Sequence, residues 1–280
     1  MLKLLRPEQW LKNLFVFLPV FFNGQLLNVS SLLPCLIVFT AFSFAASSIY
    51  CFNDIYDIEA DKLHPEKCKR PIASGIISKK TAYILMAISF LLSMLILFFF
   101  GGEARNVLIA LVGFYYVINL AYTIELKRRA IIDVVIISVG FVLRVYVGGI
   151  ASDIWISEWI VIMTFLLALF LAFAKRRDDV ILHNSNCYNL EFMNQIITLV
   201  ATITIVAYIM YTLSSEVIQR FHTRYIYITA IFVLMGIIRY LQITIVDFKS
   251  GNPTKVLLQD RFIQCCVIGW IGSFSVIIYL

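Results

Sequence analysis

Apolar residues run along this chain in long blocks, not in the short alternating rhythm of half-buried strands. The blocks fall near residues 13–27, 32–52, 80–100, 105–124, 130–150, 156–174, 192–213, 225–246 and 262–280. About 20 apolar residues are what an α-helix needs to cross a hydrocarbon layer of about 30 Å. The pattern predicts an all-α, polytopic membrane protein of about nine transmembrane helices. The first block is short and Pro19 interrupts it, where a proline removes a helical donor.

Composition supports this. The chain is 61% hydrophobic and only 14% charged, against about 25% charged for a soluble domain. No linker or low-complexity run separates the blocks, so residues 1–280 are expected to form a single transmembrane domain. The opening Met-Leu-Lys-Leu-Leu-Arg-Pro has no cleavable signal pattern. Six cysteines show no metal-ligand spacing and read as packing residues.

Charge sets the orientation. Of the 23 Lys and Arg, eighteen lie in the N-terminal tail and in the loops after the second, fourth, sixth and eighth blocks. Positive residues stay in the cytoplasm. The expectation is a multi-pass protein of the inner (plasma) membrane, with its N-terminus and active site cytoplasmic. The net charge of +6, gathered on one face, suits anionic membrane lipid and phosphorylated substrates. No nucleic-acid partner is expected, and a homo-oligomer is allowed.

The two longest loops on that face follow the second and sixth blocks, and both carry charges of both signs. The arrangement suggests two four-helix halves, each delivering a charged motif from its second helix to a shared cytoplasmic mouth. In the first half the motif is Asn53-Asp54-Ile55-Tyr56-Asp57-Ile58-Glu59-Ala60-Asp61. On a helix Asp54, Asp57 and Asp61 share one face, and Asn53 neighbours Asp57. Oxygen ligands of this kind select a hard cation, and Mg²⁺ held by carboxylates and substrate phosphates is the usual case. Small residues between Ala41 and Ser48 allow the supporting helix to pack closely in lipid.

Beyond the acids, Arg70 lies in a loop framed by Pro65, Pro71 and Gly75. Arginine and lysine opposite a metal site fit a polyphosphate ligand. The second charged loop, Lys175-Arg176-Arg177-Asp178-Asp179, reads either as a phosphate site or as a helix-end Lys175–Asp179 salt bridge. Tyr122 and Lys127 begin a third basic loop, and Asp133 follows it. Arg144 and Arg239 fall inside spans, where a charge is either functional or hydrogen-bonded to neighbouring carbonyls. No nucleotide-binding, serine-hydrolase or zinc-protease motif is present. Metal-assisted departure of a diphosphate is the chemistry left.

The Asn53-Asp54-x-x-Asp57-x-x-x-Asp61 motif, the Arg70-Pro71…Ser74-Gly75 loop and the nine spans resemble the UbiA superfamily of intramembrane prenyltransferases. One branch, the decaprenyl-phosphate phosphoribosyltransferases, is similar in further places. These are Arg6-Pro7-x-Gln9-Trp10-x-Lys12-Asn13, Tyr122 through Lys127, Asp133, Gly140-Phe141-x-Leu143-Arg144, Gly148-Gly149 and Lys175-Arg176. The resemblance implies helices around a central cavity and Mg²⁺ held by Asn53, Asp54, Asp57 and Asp61. The implied reaction moves 5-phosphoribose from 5-phosphoribosyl 1-diphosphate to a polyprenyl phosphate. Asp54, Asp57, Asp61 and Asp133 would be catalytic. Asn53, Arg70, Tyr122, Lys127, Arg144, Lys175, Arg176, Asp178 and Asp179 would bind substrate. The superfamily's second motif is usually DxxxD, and here Lys175 replaces its first acid, leaving Asp179. The alternatives are prenyl transfer from a prenyl diphosphate to an aromatic or small acceptor, and, more remotely, transport of anionic metabolites.

Overall fold

The computed structural model describes residues 2–63, 67–183, 188–248 and 250–279. Pro65 therefore lies outside the described residues. Eight helices are long and apolar enough to span a membrane, and no strand occurs among the described residues. Their α-helical parts are α1 (Val29–Tyr56), α2 (Lys79–Phe100), α3 (Arg105–Ile124), α4 (Ile132–Ala151), α5 (Glu158–His183), α6 (Leu190–Leu213), α7 (Ala230–Ile245) and α8 (Arg261–Tyr279), the seventh span being completed by the 3₁₀ stretch Tyr225–Thr229. The chain divides into two compact units. Unit 1 is Met1–Ile136 with Gly140–Ile156, and unit 2 is Ile137–Val139 with Ser157–Leu280.

The first apolar block departs from expectation. It forms no spanning α-helix: Pro7–Phe17 is 3₁₀ and only Leu18–Phe22 is α. Prolines at the start of each piece account for the break. The segment nonetheless runs antiparallel beside α1. The Trp10 indole donates to Ser47, Asn13 donates to Ser43, Phe17 packs on Phe39, and Ser31 donates to Gln25. A 3₁₀-helix rises about 2.0 Å per residue, so the eleven residues of Pro7–Phe17 cover about 22 Å. The segment thus lies along α1 for most of that helix's length without being one of the eight spans. One consequence is that each charged motif ends the first long helix of its unit, not the second.

In unit 1 the expected small-residue helix is the centre. Ala41, Ser43, Ala45, Ala46, Ser47 and Ser48 of α1 are all buried. Ser48 donates to the Met86 carbonyl of α2 and meets the Tyr116 hydroxyl of α3. Close approach also decides the place of α4. A Cβ on Gly148 would lie 1.9 Å from the Val16 carbonyl oxygen of the N-terminal segment. Only glycine lets these backbones meet. In unit 2, Asn189 caps α6 by accepting from the Phe192 N–H, and Tyr208 links the Thr229 hydroxyl to the Trp270 indole.

Candidate active site in unit 1

The helix α1 carries its polar end past the apolar run because Asn53, Asp54 and Tyr56 stay helical. Asp57 caps it, its N–H on the Asn53 carbonyl, and a short helix Ile58–Leu63 continues after this turn. Asp54 and Asp61 are thereby buried together at 1% and 3% exposure. Two carboxylates that close repel unless cations separate them.

Two cations do so, and a third pairs with Asp57. Arg6, in the left-handed region before the 3₁₀ segment, donates to Asp54 Oδ1. Arg70 bridges both buried acids, 3.2 Å from Asp54 Oδ1 and 2.7 Å from Asp61 Oδ2. Lys127 donates to Asp57 and lies over the Tyr56 ring. Asn53 is held apart, its Oδ1 accepting from the Thr123 hydroxyl. The Arg70 loop is closed as its sequence implied. The Ser74 N–H and hydroxyl both donate to the Arg70 carbonyl, and Gly75 takes φ +78°.

One carboxylate oxygen remains open. Asp54 Oδ2 is buried and has no hydrogen-bond partner. Among the described residues no three acids converge into a metal-holding group, so Asn53, Asp54, Asp57 and Asp61 do not form a single oxygen shell. Mg²⁺ does not require one. It commonly takes one or two carboxylates and completes its shell with water and substrate phosphate. Asp54 and Asp61, joined through Arg70 and offering a free buried oxygen, fit that role.

The other residues singled out in unit 1 are distributed differently. Asp133 is buried at the start of α4 and Tyr122 is half-buried on α3. Arg144 is fully enclosed: Nε donates to Asn13, one terminal nitrogen to the Gly140 carbonyl and the other to the Tyr115 hydroxyl. The rings of Phe42, Tyr115 and Phe141 surround it.

Unit 2 uses its charged motif otherwise. Lys175 is exposed and Arg176 pairs with Asp179 at 3.0 Å. The chain turns Arg177 inward, where it donates to Asn194 Oδ1 and the Thr244 carbonyl. Asp178 is buried and accepts from the Ser250 hydroxyl at 3.0 Å and from backbone N–H groups of Ser250 and Gly251. Arg239 pairs with Asp260, which that guanidinium holds below the usual carboxylate range. Sequence reasoning had given Arg6 and Arg177 no individual role. The Arg6-Pro7 pair before a polar-studded apolar run was the signal available for the first. Nothing in the Arg176-Arg177 doublet marks which of the two turns inward.

The family model for the UbiA prenyltransferase family matches residues 14–258. This chain belongs to the UbiA prenyltransferase family. It is therefore a multi-pass membrane transferase of that superfamily. Among its curated relatives, the decaprenyl-phosphate phosphoribosyltransferase of Mycolicibacterium smegmatis is 30% identical, over 100% of this chain and 92% of its own. That of Corynebacterium glutamicum is also 30% identical, over 100% and 87%. A solved UbiA homologue from Archaeoglobus fulgidus, bound to GPP and Mg²⁺, superposes with a TM-score of 0.72 at 18% identity, covering 100% and 99%. The eight spans of this UbiA family member thus have a known fold.

Proposed function

We propose that this enzyme transfers 5-phosphoribose from 5-phosphoribosyl 1-diphosphate to a polyprenyl phosphate and releases diphosphate, with Mg²⁺ as cofactor. The observation carrying the reading is the pairing of buried carboxylates with arginines in unit 1, set beside full-length relatives bearing that activity in their names. Asp54 and Asp61 are the residues placed to hold Mg²⁺. When bound, the ion would neutralise charge growing on the leaving diphosphate. Arg6 and Arg70, already beside these acids, are positioned to fork onto phosphate oxygens as that charge develops. Lys127, steadied by Asp57 and the Tyr56 ring, supplies a further ammonium. Asp133 and Tyr122 are left to position ribose. In unit 2, Lys175 and Arg176 offer cations for phosphate, while Asp178 is committed to its own loop. A lipid phosphate is already anionic, so the acceptor needs no strong base.

The N-terminal tail, the loop after α1 and the loop after α3 meet at one end of unit 1 through Arg6, Arg70 and Lys127. These are the loops the positive-inside rule assigns to the cytoplasm. We place the site there, in a bacterial inner membrane. The test incubates purified protein and Mg²⁺ with phosphoribosyl diphosphate or a prenyl diphosphate, each with polyprenyl phosphate or a phenolic acid, and reads products by mass spectrometry. Phosphoribosylated lipid is expected. Prenylated phenol in its place would overturn the branch assignment and leave the family.

A further inference from the structure

Unit 1 holds two cations, the half-buried Lys12 and the buried Arg144, that the carboxylates do not serve. Side chains three apart eclipse on a 3₁₀-helix, so the N-terminal segment presents rows. Trp10, Asn13 and Val16 form one row: the first two side chains donate to Ser47 and Ser43 of α1, and Val16 is buried, its carbonyl accepting from the Cys35 thiol. Gln9, Lys12 and Phe15 form the next. Phe15 packs against Phe141 with centroids 4.9 Å apart, and the Arg144 guanidinium lies 5.1 Å from that same ring. Lys12, one turn before Phe15, is half-buried, and its charged neighbours are Arg144 and Arg6, both positive. Among the described residues Lys12 makes no hydrogen bond and no ion pair. Arg144 bonds only to neutral oxygens. Every other cation around the site, Arg6, Arg70 and Lys127, rests on a carboxylate. A pair of like charges inside a helical bundle is costly without a counter-ion, and no acid among the described residues forms an ion pair with either.

We propose that Lys12, with Arg144 behind it, forms a second anion subsite that takes a phosphate monoester. The subsite rests on the phosphoribosyl reading, which brings two such groups besides the diphosphate: the donor's 5-phosphate and the lipid acceptor's phosphate. A prenyl donor with a phenolic acceptor would bring none. Lys12 stands on the Gln9–Phe15 row of the 3₁₀ segment, whereas Arg6 precedes that segment and is committed to Asp54.

The test uses the full chain in detergent and measures binding of inorganic diphosphate, phosphoribosyl diphosphate and farnesyl phosphate, with farnesol as the uncharged control. Lys12→Met should bind inorganic diphosphate within about twofold of the unaltered protein. It should lose about tenfold or more for one of the other two, the loss of a charge-assisted hydrogen bond. Loss for farnesyl phosphate assigns the subsite to the acceptor, and loss for phosphoribosyl diphosphate assigns it to the 5-phosphate. Lys12→Arg should recover most of the affinity. The melting temperature of Lys12→Met should not fall, because an unpaired charge has been removed. In the unaltered protein, the same monoester, but not farnesol, should shield the Lys12 amine from acylation. Equal binding of all ligands by Lys12→Met together with unshielded acylation would overturn the subsite. A protein that makes no phosphoribosyl lipid yet shields Lys12 with farnesyl phosphate would retain the subsite and lose the reaction assigned above.

Discussion

Each unit ends its first long helix in a cluster of charges, and the two clusters do different work. At the end of α1 the acids stay buried, draw in cations from residues far along the chain, and leave Asp54 Oδ2 without a partner. At the end of α5 the two buried charges, Arg177 and Asp178, are taken up within unit 2. Arg177 ties α5 to α6 and α7, and Asp178 fastens the Ser250–Gly251 turn. The lesson is that position at a helix end does not assign a role. What distinguishes the two clusters is that a buried carboxylate oxygen stays unsatisfied in the first, at Asp54, whereas the buried Asp178 of the second is hydrogen-bonded.

The strongest way to break this contrast is Asp54→Asn. If the open oxygen is the working one, kcat/KM for phosphoribosyl transfer should fall by about 10²–10³-fold, the scale of losing a charge-stabilising group in an active site. Arg6 then keeps no anion, so the variant should also melt lower. Combining it with Arg6→Gln should restore the melting temperature and not the activity. Recovery of both would make Asp54 a structural ion-pair member like Asp178. Next in size is Lys175→Asp, which recreates a DxxxD spacing with Asp179 and sets an anion where the reading needs a phosphate-binding cation. A charge-assisted hydrogen bond is worth about 1.5–3 kcal/mol, so kcat/KM for the phosphoribosyl donor should drop at least about tenfold. Full activity would make Lys175 a membrane-edge charge and confine the chemistry to unit 1.

How much of this was legible depends on range. The spans were, because a hydropathy window senses only neighbouring residues: blocks at 80–100 and 105–124 became Lys79–Phe100 and Arg105–Ile124. Their polar ends were less so. The α1 block stopped at residue 52, yet helix continues to Tyr56 because its polar groups find partners. The first block, short and interrupted at Pro19 in the sequence, is broken into two pieces with a proline at the start of each. The partners of the charges were out of reach. Arg6 meets Asp54 across 48 residues, Lys127 meets Asp57 across 70, and Arg144 meets Asn13 across 131. Residue types announced a charged site; only tertiary packing shows which charges it consumes.

The contrast can be sharpened from the structural side with Asp178→Asn. An amide nitrogen would then face backbone N–H groups in a buried turn, leaving donors unsatisfied at about 1–3 kcal/mol. The melting temperature in detergent should fall. Affinity for phosphoribosyl diphosphate at a temperature where the variant stays folded should hold within about twofold, since the loss is of stability. A selective loss of affinity with unchanged melting would move Asp178 from fastener to ligand.

The smallest effect is expected at Asp260, the N-cap of α8, which accepts from the Ile263 N–H and from Arg239. Arg239 holds its carboxyl below the usual range, so the folded state binds the proton more weakly than the unfolded chain. Its contribution to stability is therefore complete above the unfolded carboxylate pKa of about 3.9 and lost as pH falls through the folded value. Asp260→Ala should cost about 1 kcal/mol at neutral pH, the usual worth of an N-cap, seen as a lower melting temperature with kcat/KM unchanged. The gap between variant and unaltered protein should close as the pH is lowered past that range. A gap that persists at low pH would mean the side chain acts by packing, and one that appears in kcat/KM would add the Arg239–Asp260 pair to the working site.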